Sequence, residues 1–154
     1  MTKDQCKLET IKHIEMVREF IRVFTDRLTQ RGVDHDRPKL EPPELETFTK
    51  YTPMLAELQY GSDEYKECLE NMQTALEHHY ANCRHHPEHF ANGVSGMNLI
   101  DLIEMFCDWA AASLRQNNGN LLKSIEINAE RFQIDPQLAQ ILLNTAAVFE
   151  EIRK

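Results

Sequence analysis

Histidine is the residue type most open to chemistry in this sequence. The chain of 154 residues holds seven, and five of them (His78, His79, His85, His86, His89) fall between positions 78 and 89. Neutral imidazole is a common ligand for Zn, Fe, Ni and Mn-type ions, so a tract this dense is a metal-binding composition. A solvated polar loop whose histidines cap helices is the plainer alternative. His13 stands apart upstream. His35 is followed by Asp36, with Lys39 three positions further on. Asp101, Glu104 and Asp108 recur at i, i+3, i+7, which places three carboxylates on one stripe of a helix. Such groups, brought together from separate helices, hold divalent cations.

The elements that position them read as helices throughout. Thr2 and Gln5 form a capping-box pattern, and Gly32 is a plausible stop. Between them Leu8, Ile11, Val17, Phe20, Phe24 and Leu28 recur at helical spacing, with His13 on the same stripe. Pro38, Pro42 and Pro43 then break the chain. A helix starts near Pro43 and runs towards Leu58, with Pro53 as a point of interruption. Gly61-Ser62 opens the next, whose stripe is Tyr65, Leu69, Met72, Leu76 and His79. On it His79 faces the core, and His78 is rotated by about 100°. A loop with Pro87, Gly93 and Gly96 leads into a strong helix from Met97 to Gln116, with Ile100, Ile103, Cys107, Ala110 and Leu114 as its apolar stripe. Two more helices occupy about 120–152, the second opened by Asp135-Pro136. The expectation is an all-α fold, one helical domain over 1–154.

The order His13, His35-Asp36, Asp108 resembles the H…HD…D ligand pattern of the HD-domain superfamily, and HD-x-x-K resembles an expanded form of that motif. More closely, the sequence resembles a family of short bacterial and phage proteins of unknown function. Its recurrent elements are HDxSKxxPxE, HHxxNxHHxE and EMxxDWxAAS. Here they read HDRPKLEPPE (35–44), HHYANCRHHPEHF (78–90) and EMFCDWAAAS (104–113), with Pro38 where that family commonly has Ser. The likeness covers most of 10–115.

The resemblance implies a single HD-like helical bundle and one or two divalent ions (Mn, Fe, Co, Ni, Zn or Mg). His13, His35, Asp36 and Asp108 would hold the first ion. His79, His85 and His86 would hold the second, with Asp36 bridging. The implied activity is hydrolysis of a nucleotide or other small phosphate ester through a metal-activated water. Asp36, Lys39 and Glu104 would serve catalysis, and Lys39 and Arg84 would contact the phosphate. The alternatives are a mixed-valent di-iron oxygenase of the same superfamily and a non-catalytic, phage-related metal-binding or regulatory module.

Bulk properties restrict the partners. Hydrophobic residues make up 42% and charged residues 27%, ordinary for a globular protein. No run of about 18 apolar residues crosses a membrane, and the polar N-terminus carries no signal peptide, so a cytoplasmic chain is expected (host cytoplasm if phage-encoded). Cys6, Cys68, Cys83 and Cys107 form no CxxC pair and read as reduced thiols. A net charge of -8 disfavours general nucleic-acid binding, while a small phosphorylated substrate suits a locally cationic metal site. A homodimer is compatible with the sequence.

Overall fold

The structure is a computed structural model that describes residues 1–59, 62–115 and 119–152. It contains two compact units, 1–35 and 36–154. Among the described residues there are seven α-helices, three short 3-10 turns and no strand, as the helical periodicity and the lack of alternating patterns predict.

The first unit is one helix, α1 (Lys3–Asp34). Its capping box forms as expected: the Thr2 hydroxyl accepts from the Gln5 backbone at 3.2 Å, and the Gln5 side chain accepts from the Thr2 backbone at 2.8 Å. Gly32 does not end it, since a glycine inside a helix costs only about 1 kcal/mol relative to alanine. None of its residues is buried. The stripe from Leu8 to Phe24 is exposed, and so is His13. Within this unit a single helix offers no second surface against which His13 and the apolar stripe could be buried.

The second unit begins with a 3-10 turn at Arg37–Leu40, which the three prolines permit, followed by α2 (Glu44–Glu57), which runs through Pro53 without a break. Ser62 caps α3 (Asp63–Asn71), its hydroxyl accepting from the Tyr65 backbone; Gly61 lies outside the described residues. α4 (Gln73–Asn82) follows directly. The one helix expected from Ser62 to His79 is thus divided at Met72. Met72 and His79 of the expected stripe are buried, together with Cys68 and Ala75, whereas Tyr65, Leu69 and Leu76 are only half-buried.

Two 3-10 turns, Pro87–His89 and Gly93–Gly96, lead to α5 (Leu99–Arg115). Gly96 has no room for a side chain, because a Cβ would lie 2.8 Å from that of Phe90. The Asn98 side chain starts α5 by accepting from the backbones of Ile100 and Asp101. This helix is rotated relative to expectation. Ile103, Cys107 and Leu114 are exposed, whereas Asp101, Glu104, Met105, Phe106 and Trp109 are buried. The apolar arc alone points the wrong way because Asp101 and Glu104 have partners inside.

α6 (Leu121–Arg131) and α7 (Pro136–Ile152) complete the unit. Met105, Phe106, Trp109, Leu121, Ile125, Ile134, Leu142 and Ala146 form one core across α5, α6 and α7. Ile125 is fully buried there, worth about 1.5–3 kcal/mol in apolar burial. The Phe106 ring meets Phe149 edge-on at 5.8 Å. This core gives α5 a fixed base from which its acidic face reaches α4 and the His tract.

Candidate metal centre

Asp36 opens the 3-10 turn in the left-handed region, at φ 57, a conformation that Asp tolerates better than most residues. One turn later Lys39 returns to it, Nζ 2.7 Å from Oδ2, with the ammonium 5.0 Å from the Phe48 ring centre. This gives the HD-x-x-K spacing a physical meaning: Lys39 neutralises one carboxylate oxygen, and the other faces the His tract. Lys39 is thereby a partner of Asp36 before it is a contact for substrate.

The second oxygen, Oδ1, lies 3.3 Å from His79 Nε2 and 3.5 Å from His85 Nε2. His79 Nε2 is 3.0 Å from His86 Nε2. One donor atom from each of Asp36, His79, His85 and His86 lies within 4.8 Å of the others. His79 and His85 are almost wholly buried, at 1% and 2% exposure.

Carboxylates behind the rings hold these histidines. His79 Nδ1 donates to Glu44 Oε2 at 2.9 Å, and His85 Nδ1 donates to Glu104 Oε1 at 3.1 Å. An ionised carboxylate only accepts, so each interaction fixes the proton on Nδ1 and leaves a lone pair on Nε2. Electron-rich nitrogens and a carboxylate oxygen then crowd one point. The residues fit a divalent cation, which turns that repulsion into coordination; three imidazoles with one carboxylate suit Zn, Fe, Mn, Co or Ni better than Mg.

The surrounding groups agree with that fit. Burial, followed by the neighbouring His85 and His79, pushes the His86 imidazole down to about 3, so it is neutral and able to ligate at physiological pH. The Cys83 sulfur lies 3.5 Å from His79 Nδ1. Burial, then the charges of Asp36 and Glu44, push its thiol up to about 12, so it remains protonated. An oxygen of Asp108, one turn beyond Glu104 on α5, lies within 4.8 Å of one of Asp36.

The expected residues thus divide. Asp36, His79, His85, His86 and Asp108 come together. His35 ends α1 and is joined to Asp36 by a peptide bond. His13 does not belong with them: it lies on the same unbroken helix as His35, which at 1.5 Å per residue separates the two by about 33 Å. Glu104 positions His85 instead of lying open to substrate. Arg84 is committed to Asp101, donating from Nε at 3.2 Å and from an Nη at 3.0 Å, and lies over the Phe90 ring at 4.8 Å. It is a structural clamp between the His tract and α5.

Sequence reasoning overlooked Glu44. It is fully buried, and its second oxygen accepts from His78 Nδ1 at 2.7 Å. Its signal was present as the final Glu of HDRPKLEPPE. A cavity of about 490 Å³ adjoins the cluster, with His86 and Asp108 in its wall and α6 along its side.

The model of a family of unknown function, DUF5662, matches residues 2–148. No curated protein and no solved structure matches the chain.

Proposed function

We propose that this chain, which belongs to DUF5662, is a metal-dependent phosphohydrolase acting on a small phosphate ester. One observation carries the reading: Nε2 atoms of His79, His85 and His86 converge beside Asp36 Oδ1, while Glu44 and Glu104 hold the far sides of two of the rings. A divalent ion held by these four residues would supply an acidified water and neutralise charge developing on a phosphoryl group.

The chain's own residues do the rest. Asp36 offers Oδ1 to the site while Lys39 offsets the charge of Oδ2. Asp108 lies in the cavity wall, and one of its oxygens is close enough to Asp36 for the two carboxylates to share a second cation. Glu104 fixes the orientation of His85. The HD resemblance enters as a sequence pattern, His35-Asp36 followed by Asp108.

The test has two readings from one set of proteins. Protein purified without added metal is analysed for bound ions. Phosphate release from nucleotides and simple phosphomonoesters is then followed anaerobically with Mn²⁺, Co²⁺, Ni²⁺, Zn²⁺ or Mg²⁺. Asp36→Ala is expected to lose both metal and turnover. Full occupancy in that variant would place the site elsewhere, and turnover that requires iron and dioxygen would replace hydrolysis with oxygenation.

A further inference from the structure

We infer that the chain pairs with a second copy of itself through the outward face of α7, the two helices lying antiparallel about a two-fold axis between Asn144 and Thr145. The cavity beside the metal cluster is lined from α5 and α6, so this contact is separate from the proposed reaction.

One side of α7 turns Leu142 and Ala146 into the core, with Leu138, Leu143 and Phe149 packed against it. The opposite side carries Gln140, Ile141, Asn144, Thr145, Ala147 and Val148, all exposed. Ile141 and Val148 leave 58% and 53% of their surface to solvent. An exposed helix face is ordinarily its charged one. Here no charged residue falls between Pro136 and Phe149, where a chain with 27% charged residues would place about four. Apolar residues without charge make the composition of an interface centre. The polar groups on this face are already prepared for burial. Gln140 Nε2 donates to Asn144 Oδ1 at 3.0 Å, and the Thr145 hydroxyl donates to the Ile141 carbonyl at 2.7 Å, so covering them strands fewer donors.

Two features point to a second copy as the occupant. The first is that the face is palindromic. Ile141, Asn144, Thr145 and Val148 stand at i, i+3, i+4 and i+7, on one stripe of the helix. They read as branched aliphatic, polar, polar, branched aliphatic in either direction. When two such helices lie antiparallel about the midpoint of Asn144 and Thr145, Ile141 of each copy meets Val148 of the other. The short polar residues fall at the centre, where they let the backbones approach. A contact made by the same patch on both subunits needs this self-match. The second feature is charge. Two chains of net charge -8 repel, and like charges set face to face would add to that repulsion. The uncharged stretch of α7 lets them touch without it. From Gln137 to Val148 the helix rises about 17 Å. Covering its outward half buries roughly 500 Å² on each copy, about the 1,000 Å² in total at which a specific interface begins. The pair is accordingly a weak dimer, with a Kd on the order of micromolar.

Sedimentation velocity of the whole chain, from about 1 to about 200 µM, reads the oligomeric state across that affinity range. The mass should rise with concentration from 18.0 kDa towards twice that value. Ile141→Glu and Val148→Glu each set a carboxylate against the partner's apolar side chain and should weaken pairing by at least about tenfold, with circular dichroism showing the helices intact. Ile103→Glu, at another exposed apolar position, on α5, should leave pairing unchanged. Asn144→Cys, in a background of Cys6→Ser and Cys107→Ser, should cross-link to its own copy under mild oxidation, because position 144 lies beside the axis. A monomer at every concentration, a dimer unaffected by both α7 substitutions, or a dimer that fails to cross-link through position 144 would overturn the pairing. Loss of the dimer in Ile103→Glu would do the same, by placing the contact on α5.

Discussion

Replacing Glu44 by glutamine changes one charge and no volume, at a residue that touches no solvent. The carboxylate accepts from His79 at 2.9 Å and from His78 at 2.7 Å, one ring on each oxygen. Glutamine keeps one acceptor and presents an NH₂ where the other stood, so one of the two imidazoles faces a donor. A hydrogen bond to a charged group contributes roughly 1.5–3 kcal/mol. Only the His79 bond bears on the metal, because it sets the tautomer and aim of a ligand. Loss of such an outer partner typically weakens metal affinity by about 10–100-fold, equivalent to roughly 1.4–2.8 kcal/mol. The assay is competition between the protein and a chelator for Zn²⁺, with circular dichroism to confirm that the helices persist. His78→Ala is the control: its side chain is 42% exposed, and its removal leaves the Glu44–His79 bond in place, so a change below about threefold is expected. Unchanged affinity in Glu44→Gln, or equal losses in the two variants, would refute the reasoning that Glu44 acts through His79.

Three other outcomes follow from the geometry. His13→Ala should leave metal content and turnover unaltered, as measured by elemental analysis and phosphate release; a loss of metal would return His13 to the ligand set. His86 titrates at about 3 in the folded chain because burial and its neighbouring histidines oppose its charge, against about 6.5 when unfolded. A lowered folded value means that the unfolded chain binds the proton first, so stability of the metal-free protein falls as pH drops from about 6.5 towards 3. Thermal melts across that range should show the decline, less steep in His86→Gln; an identical slope would contradict the assignment. Arg84→Ala leaves Asp101 buried without its main cation. Because Arg84 is itself 44% exposed, the cost should be about 1–3 kcal/mol in urea unfolding, below the value for a fully buried pair; no change would show that the Asn98 backbone, which donates to Asp101 at 3.1 Å, suffices.

Most of the helices are legible in the sequence because local chemistry sets their ends. Thr2, Ser62, Asn120 and Asp135 each accept from a backbone amide in the first turn of the helix they open. What the sequence hides is orientation. α5 turns its Asp101 and Glu104 inward because Arg84 and His85, distant in sequence, receive them; without those partners the apolar arc with Ile103 and Leu114 is the better guess. His79 could be placed on an inward stripe because Met72 and Leu76 precede it at helical spacing. Glu44 could not, since its burial depends on two imidazoles that arrive from α4. His13 misled for the converse reason: the H…HD…D order records sequence position, and α1 runs straight where that pattern required the two histidines to meet.

The central claim is that His79, His85, His86 and Asp36 hold a divalent transition metal. An anomalous-difference map from crystals of protein purified without added metal tests it most directly. The account predicts a peak about 2.0–2.2 Å from Nε2 of each of the three histidines and from Asp36 Oδ1, the distances of imidazole and carboxylate ligation. A map with no peak there, in crystals of protein shown to contain stoichiometric metal, would contradict it.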